Sequence, residues 1–120
     1  MKKFFLSLMF VVALAFTSTC AAKDVWIDHW GSEGVDIYVM DDTIVGNSSG
    51  NGFSVVTKEV RNGRLLKNVK WIFDNARGSW RYETSTMNGN HTSIVYNNKI
   101  FEFCMNRLGW SYHKRNGYYD

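Results

Sequence analysis

The chain has no proline and only two cysteines among its 120 residues. One of them, Cys20, lies in a segment with the features of an export leader. The domain that follows therefore keeps only Cys104, which has no second thiol with which to form an internal disulfide. Aromatic residues are abundant instead, with five Trp and six Tyr. This composition favours β-strands over helices.

Long apolar runs are also scarce, and the clearest one covers residues 4–16. It is too short to be a stable membrane span. Lys2 and Lys3 precede it and small residues follow it, which is the order of a signal peptide. We therefore expect residues 1–22 to be a signal peptide and the protein to be exported, as a secreted, periplasmic or cell-surface protein.

Cys20 leaves a second form of export open, because a cysteine after an apolar run can be lipidated. A bacterial lipobox usually has Leu three residues before the cysteine and Gly or Ala directly before it. Thr17 and Thr19 occupy those places. The sequence therefore favours a cleaved leader over a lipoprotein anchored through Cys20.

Excess charge disappears with the leader. The whole chain has 14 Lys and Arg against 11 Asp and Glu, a net charge of +3, and loss of Lys2 and Lys3 leaves 12 against 11, or +1. A broad cationic field is thus missing, which argues against a nucleic-acid partner. The chain from Lys23 onward has the length of one domain with a modest core. We place that domain at residues 23–110 and a C-terminal tail at 111–120, in which Tyr112 could fold back on the core and residues 113–120 are expected to be solvated.

Apolar and polar residues alternate in the first part of this domain. The alternation predicts strands at 25–30 and 35–40, joined by a turn at 31–34, with Val35, Ile37 and Val39 on one face. A short extension at 43–45 and a flexible loop at 46–52 follow.

A hairpin at 53–74 offers two registers. A two-residue turn at Asn62-Gly63 would place Lys58 opposite Lys67 and send Phe53 to the other face, and both consequences are unfavourable. A three-residue loop, 61–63, pairs Phe53 with Trp71 instead. We predict the three-residue loop.

The next loop, 75–78, then sets Phe73 opposite Trp80 and Trp71 opposite Tyr82. One face of the sheet becomes aromatic and the other mostly polar, as expected of an antiparallel sheet covered on one side. The aromatic face consists of Phe53, Val55, Val69, Trp71, Phe73, Trp80 and Tyr82. A turn at 88–90 and a short edge strand at 92–96 complete the predicted sheet.

Residues 97–109 form an amphipathic helix on this interpretation. The apolar arc contains Ile100, Phe101, Phe103, Cys104, Met105 and Leu108, with Cys104 near its middle. Asn97 or Asn98 is the expected N-cap and Gly109 the expected end. The predicted fold is α+β: a five- or six-stranded antiparallel meander with one C-terminal helix packed on one face.

Residue chemistry predicts no catalytic, metal or cofactor site. Cys104 sits on the apolar arc, away from the exposed cationic surroundings of reactive thiols. Asp28 and His29, with Asp41 and Asp42 nearby, could hold a cation, but ordinary surface polarity is the favoured reading. The loop at 46–52 lacks the Gly-Lys-Ser/Thr ending of a phosphate-binding loop, and no hydrolase motif appears.

The tail mixes basic and aromatic residues, which is a weak signal for contact with anionic polymers or glycans. A frayed terminus is the favoured alternative. The candidate binding surface predicted from sequence is Tyr112, Lys114, Arg115, Tyr118 and Tyr119.

The order of these parts resembles the surface-adhesin protein E family of small bacterial envelope proteins. The resemblance lies in residues 35–44, in the aromatic meander that follows, and in residues 97–104. It implies a sheet with a packed C-terminal helix, no catalytic site, and adhesion to host extracellular-matrix proteins, sometimes as dimers. It also implies a disulfide from the helix cysteine to a central strand. Cys104 matches the helix member, but residues 69–75 contain no partner.

From these observations we expect an exported, non-enzymatic envelope or secreted binding module, adhesin-like, that contacts a host matrix protein or glycan. Homodimers are compatible with this expectation. The alternative is a periplasmic structural or inhibitory protein that binds an endogenous bacterial protein. A hydrolase without a recognisable motif is a third hypothesis, which would require polar groups converging in a pocket.

Overall fold

The computed structural model describes residues 24–87 and 92–120. Its elements in chain order are β1 (Asp24–Trp30), β2 (Val35–Met40), a 3-10 turn (Asp41–Thr43), β3 (Val45–Gly46), β4 (Gly52–Arg61), β5 (Arg64–Ala76), β6 (Ser79–Thr84), β7 (Ser93–Ile94), α1 (Lys99–Leu108), β8 (Lys114–Arg115) and β9 (Tyr118–Tyr119). The predicted α+β class is confirmed. The leader and the turn at 88–90 lie outside the described residues.

Seven antiparallel strands form the main sheet, in the order β1-β2-β4-β5-β6-β7, with β3 paired to β4 beyond the end of β2. The predicted meander is thus correct, but the count of five or six strands is too low. The additional strand is β3, which the sequence indicated only as a short extension at 43–45. Inward-facing residues alternate along each strand, and Val35, Ile37 and Val39 are buried as predicted.

The observed register of the β4–β5 hairpin differs from the predicted one. Its turn is the two-residue Asn62-Gly63, whose φ angles of 51° and 75° are those of a turn that suits paired strands. Arg61 therefore pairs with Arg64, and Phe53 pairs with Phe73 rather than with Trp71.

A β-bulge in β5 removes both objections to that turn. Val60 pairs with Leu65 and Glu59 with Lys67, so Leu66 is an extra residue without a counterpart. The extra residue returns the aromatic residues to the inner face. It also gives Lys67 a new partner across the hairpin, which is Glu59 and not Lys58. The Lys67 ammonium lies 3.8 Å from the Glu59 carboxylate.

The hairpin of β5 and β6 differs from the prediction in the same way. Arg77 and Gly78 have φ angles of 59° and 81° and form a two-residue turn in place of the predicted four-residue loop. The pairing is therefore displaced by two residues, which joins Phe73 to Tyr82. A displacement of two leaves every side chain on its predicted face, so the predicted aromatic face is confirmed.

Helix α1 begins and ends as the sequence indicates. The Asn98 side chain accepts a hydrogen bond from the Phe101 backbone N–H at 2.9 Å, which identifies Asn98 as the N-cap. Gly109 ends the helix with φ of 75°, a left-handed conformation that glycine adopts at little cost. The buried helix residues are Ile100, Phe101, Cys104 and Met105.

Phe101 is the centre of the packing between helix and sheet. Its side chain is 0% exposed, and its ring centroid lies 5.1 Å from that of Trp80 and 5.6 Å from that of Phe73. Aromatic pairs at such distances add to the free energy gained by burial. The helix therefore covers the end of the inner face at which β4 begins.

The predicted solvated tail, residues 113–120, is mostly exposed but is attached to the core. After the helix, β8 and β9 form a small hairpin that returns to α1, and Tyr119 is only 3% exposed. The Tyr119 ring centroid lies 4.5 Å from that of Phe101. Its hydroxyl accepts a hydrogen bond from the Asn98 backbone N–H at 3.0 Å and donates one to the Glu102 carboxylate.

These contacts predict a pH dependence centred on Glu102. Burial alone would raise the pKa of Glu102, but hydrogen bonds from Tyr119 and Lys114 outweigh it, so the pKa lies below its ordinary value of 4.5. On acidification the unfolded carboxylate binds its proton first. The stability that Glu102 contributes is therefore complete above pH 4.5 and is lost as the pH falls through its folded pKa.

Urea unfolding midpoints measured from pH 7 to pH 3 check this expectation. The Glu102→Gln variant should be less stable than the native protein at pH 7, and the difference should shrink toward acid pH. A difference that stays constant over this range would contradict the assigned role of the carboxylate.

Within the described residues, no helix is long and apolar enough to cross a membrane.

Candidate functional site

The inner face of the sheet changes character along its strands. On β4 the inward series begins with Phe53 and Val55 and ends with Thr57, Glu59 and Arg61. β5 and β6 repeat this gradient, since Lys67 lies beyond Val69 and Thr84 lies beyond Tyr82. The apolar end lies beneath α1. The other end carries polar groups on a face that would otherwise belong to the core.

A cavity of about 570 Å³ occupies this second end. We call it the open groove. The side chains that line it come from β1, β2, β4, β5, β6 and the adjoining turns: Trp30, Glu33, Val35, Glu59, Arg61, Leu66, Lys67, Val69, Trp71, Tyr82, Thr84, Thr86 and Met87. Its volume lies within the roughly 300–1,000 Å³ that is typical of small-ligand sites.

Trp71 is held in a fixed orientation beside the groove. Its indole N–H donates a hydrogen bond to the Thr57 hydroxyl at 3.0 Å. Its ring is stacked with that of Phe73, at a centroid distance of 5.7 Å and an angle of 7°, and Tyr82 lies 5.2 Å from it. The aromatic wall is therefore organised by the core and needs little rearrangement to receive a ligand.

Four charged residues line the groove, two of each sign. Arg61 donates a hydrogen bond to the Glu33 backbone carbonyl at 2.8 Å. The Glu59 side chain is only 12% exposed, and its one ionic partner among the described residues is Lys67, at 3.8 Å. That distance is longer than a hydrogen bond. Glu59 thus keeps acceptor capacity that a ligand hydroxyl or N–H group can use.

The structure brings the five site residues predicted from the tail together in and beside the C-terminal hairpin, where Lys114 pairs with Tyr119, Arg115 pairs with Tyr118, and the Tyr112 and Tyr119 ring centroids lie 5.4 Å apart. Tyr119 is buried, Tyr112 is half-buried with its ring 5.6 Å from that of Phe101, and Lys114 pairs with Glu102 at 3.0 Å. Contacts of Tyr112, Lys114 and Tyr119 attach the C-terminal hairpin to the helix, and Lys114, Arg115 and Tyr118 are the members of the set that remain exposed.

Two of the acidic residues considered for a cation, Asp28 and Asp41, pair with bases instead. Asp28 lies 3.6 Å from the Lys99 ammonium, and Asp41 lies 2.7 Å from the Arg107 guanidinium. His29 contacts Asp36 at 3.0 Å on the outer face, where hydrogen bonds from Trp26 and His29 lower the pKa of Asp36. In the ranges 24–87 and 92–120, no three potential ligands group around a metal position.

Cys104 is enclosed in the core, as the helical pattern predicts, with 0% exposure. Burial, reinforced by the Asp41 carboxylate, raises the pKa of its thiol to about 12. A thiol in this state is a poor nucleophile at neutral pH. Its surroundings in the structure are those of a packing residue.

Sequence reasoning missed the open groove, although a signal was present. Five polar or charged residues alternate in phase with the inward-facing aromatic residues of their strands. They are residues 57, 59, 61, 67 and 84. Charged residues on a covered face lower stability and so mark a departure from simple core patterning. Trp30 gave no separate signal, because its place beside the groove depends on the bulge in β1 between Trp26 and Asp28.

Comparison with known proteins gives no relative for this fold or site: no protein-family model, no curated protein and no solved structure matches the chain.

Proposed function

We propose that the protein is an exported, non-enzymatic binding module that engages a host matrix protein or glycan through the open groove. The observation that carries the proposal is the groove itself, a concave site with an ordered aromatic wall and a partly buried carboxylate. Such sites are the usual locations of ligand binding in folded domains. The leader pattern of residues 1–22 supports export.

The chemistry of the described residues supports binding rather than catalysis. Cys104 is buried, and the described histidines, His29 and His113, accept no hydrogen bond from a serine, threonine or cysteine side chain in residues 24–87 and 92–120. An activated nucleophile requires such a pairing with a base. The groove offers aromatic surface and fixed polar groups, which are the components of recognition.

Binding to immobilised extracellular-matrix proteins tests this proposal. We expect saturable binding to at least one member of the panel. Trp30→Ala should weaken it by about tenfold or more, because aromatic residues carry a large share of binding energy at such sites. The matched control is Trp26→Ala, since Trp26 lies on the same strand, is 52% exposed and does not line the groove. Its affinity should stay within about twofold of the native value.

Absence of binding to every matrix protein and to every glycan tested would contradict the proposal, as would equal losses in the two tryptophan variants. An envelope protein from the same bacterium that binds the purified protein, and loses this affinity in Trp30→Ala but not in Trp26→Ala, would favour the alternative of an endogenous partner.

A further inference from the structure

We propose that the ligand of the open groove is a neutral saccharide. This inference rests on the proposed function and names the chemical class of its ligand. Three observations support it: the balance of charge, the ordered aromatic wall, and the polar groups that line the groove.

The balance of charge argues against an ionic ligand. Glu33 and Glu59 offset Arg61 and Lys67 around the groove. A sulfated or phosphorylated polymer binds where cations are in excess, and a basic peptide binds where carboxylates are in excess. Neither excess exists here. The groove suits a ligand that has no net charge but many hydrogen-bonding groups.

The aromatic wall suits a ring with an apolar face. The rings of Phe53, Phe73 and Trp71 follow one another along the inner face, with centroid distances of 4.7 and 5.7 Å. Of this row only Trp71 borders the groove, and it is 6% exposed, so the half-buried Trp30 and Tyr82 supply most of the aromatic surface that a ligand can reach. Aromatic faces carry negative potential and attract the weakly positive C–H groups that cover one side of a pyranose ring.

The polar groups complement the hydroxyls of such a ring. Glu59 accepts hydrogen bonds and Lys67 donates them. The hydroxyls of Thr84 and Thr86 share one hydrogen bond at 2.9 Å, which leaves one O–H donor and acceptor lone pairs for a ligand. Hydrogen bonds to charged groups are the stronger ones and supply specificity. A hydroxyl-rich ligand can use all of these groups without requiring a change in their charge.

Isothermal titration of the purified protein with neutral tetrasaccharides tests the proposal. The panel contains tetramers of glucose, mannose, galactose and N-acetylglucosamine, and a heparin tetrasaccharide serves as the anionic probe. We expect at least one neutral tetramer to bind with a Kd below about 10 mM and more tightly than the heparin fragment. Trp30→Ala and Glu59→Gln should each weaken that binding by about tenfold, whereas Trp26→Ala should change it by less than about twofold.

Three results would overturn the saccharide proposal: no binding of any neutral tetramer, tighter binding of the heparin fragment, or equal losses of affinity in Trp26→Ala and Glu59→Gln. Glu59→Gln preserves shape and removes only charge, so it remains informative if Trp30→Ala fails to fold. The two proposals fail in different ways. Suppose that matrix binding depends on Trp30 but survives removal of the glycans from the matrix proteins. The open groove would then remain the binding site, and the proposal that its ligand is a saccharide would be refuted.

Discussion

Replacing Phe101 with alanine is expected to lower the free energy of unfolding by about 3–5 kcal/mol. The ring is fully buried and contacts the aromatic residues of the sheet on one side and Tyr112 and Tyr119 on the other. Its removal leaves a cavity where the helix, the sheet and the C-terminal hairpin meet. Urea denaturation at neutral pH measures the loss.

Phe103→Ala is the matched control, because it deletes the same ring from the same helix. Phe103 is only half-buried, and the Arg107 guanidinium lies over its ring at 4.9 Å. We expect it to lose about 1–2 kcal/mol, since exposed apolar area and a surface cation–π contact contribute less. Equal losses for the two variants would contradict the orientation of the helix.

Tyr119→Ala should be nearly as damaging, at about 3–5 kcal/mol, because Tyr119 is a core residue. Its ring packs on Phe101, and its hydroxyl joins the backbone N–H of Asn98 to the Glu102 carboxylate. Tyr119→Phe keeps the ring and removes the hydroxyl, which should cost about 1–3 kcal/mol.

The neighbouring Tyr118 provides the control for this variant. It is 51% exposed and contacts Tyr96, whose ring centroid lies 4.9 Å away. Tyr118→Ala should change the free energy of unfolding by less than about 1 kcal/mol. If Tyr119→Ala were as mild as Tyr118→Ala, the C-terminal hairpin would not belong to the folded core.

The faces of the sheet were predictable from sequence, but the pairings were not. Alternation alone assigns Phe53, Trp71 and Phe73 to one side, because the side-chain period of a strand is two. The register depends on turn geometry and bulges. The Asn62-Gly63 turn is unfavourable without a bulge, because it places Lys58 opposite Lys67, and the extra residue Leu66 removes this repulsion.

The helix was predictable in full because its signals are local. Its apolar arc, its N-cap and its terminal glycine all lie within residues 97–109, and each acts within a turn or two. The C-terminal hairpin was not predictable in this way. Tyr119 is buried because a surface 18 residues earlier in the chain, at Phe101, receives it, and no local pattern reports such a contact.

The open groove was not predictable as a site because it combines residues that are distant in sequence. Trp30 and Thr86 both line it although they lie on different hairpins. The sequence shows only that Glu59 and Lys67 alternate in phase with the inward-facing aromatic residues of their strands. Their convergence requires the register that the bulge at Leu66 creates.

The uncovered end of the inner face is where we propose that the ligand binds. The most direct test is a titration of ¹⁵N-labelled protein with the neutral tetrasaccharides, followed at the resonances of the tryptophan indole N–H groups. We predict that Trp30 and Trp71, which line the open groove, shift with saturation, and that Trp26 on the outer face and Trp80 beneath the helix do not. Shifts confined to Trp26, or no shift at any indole, would contradict the account.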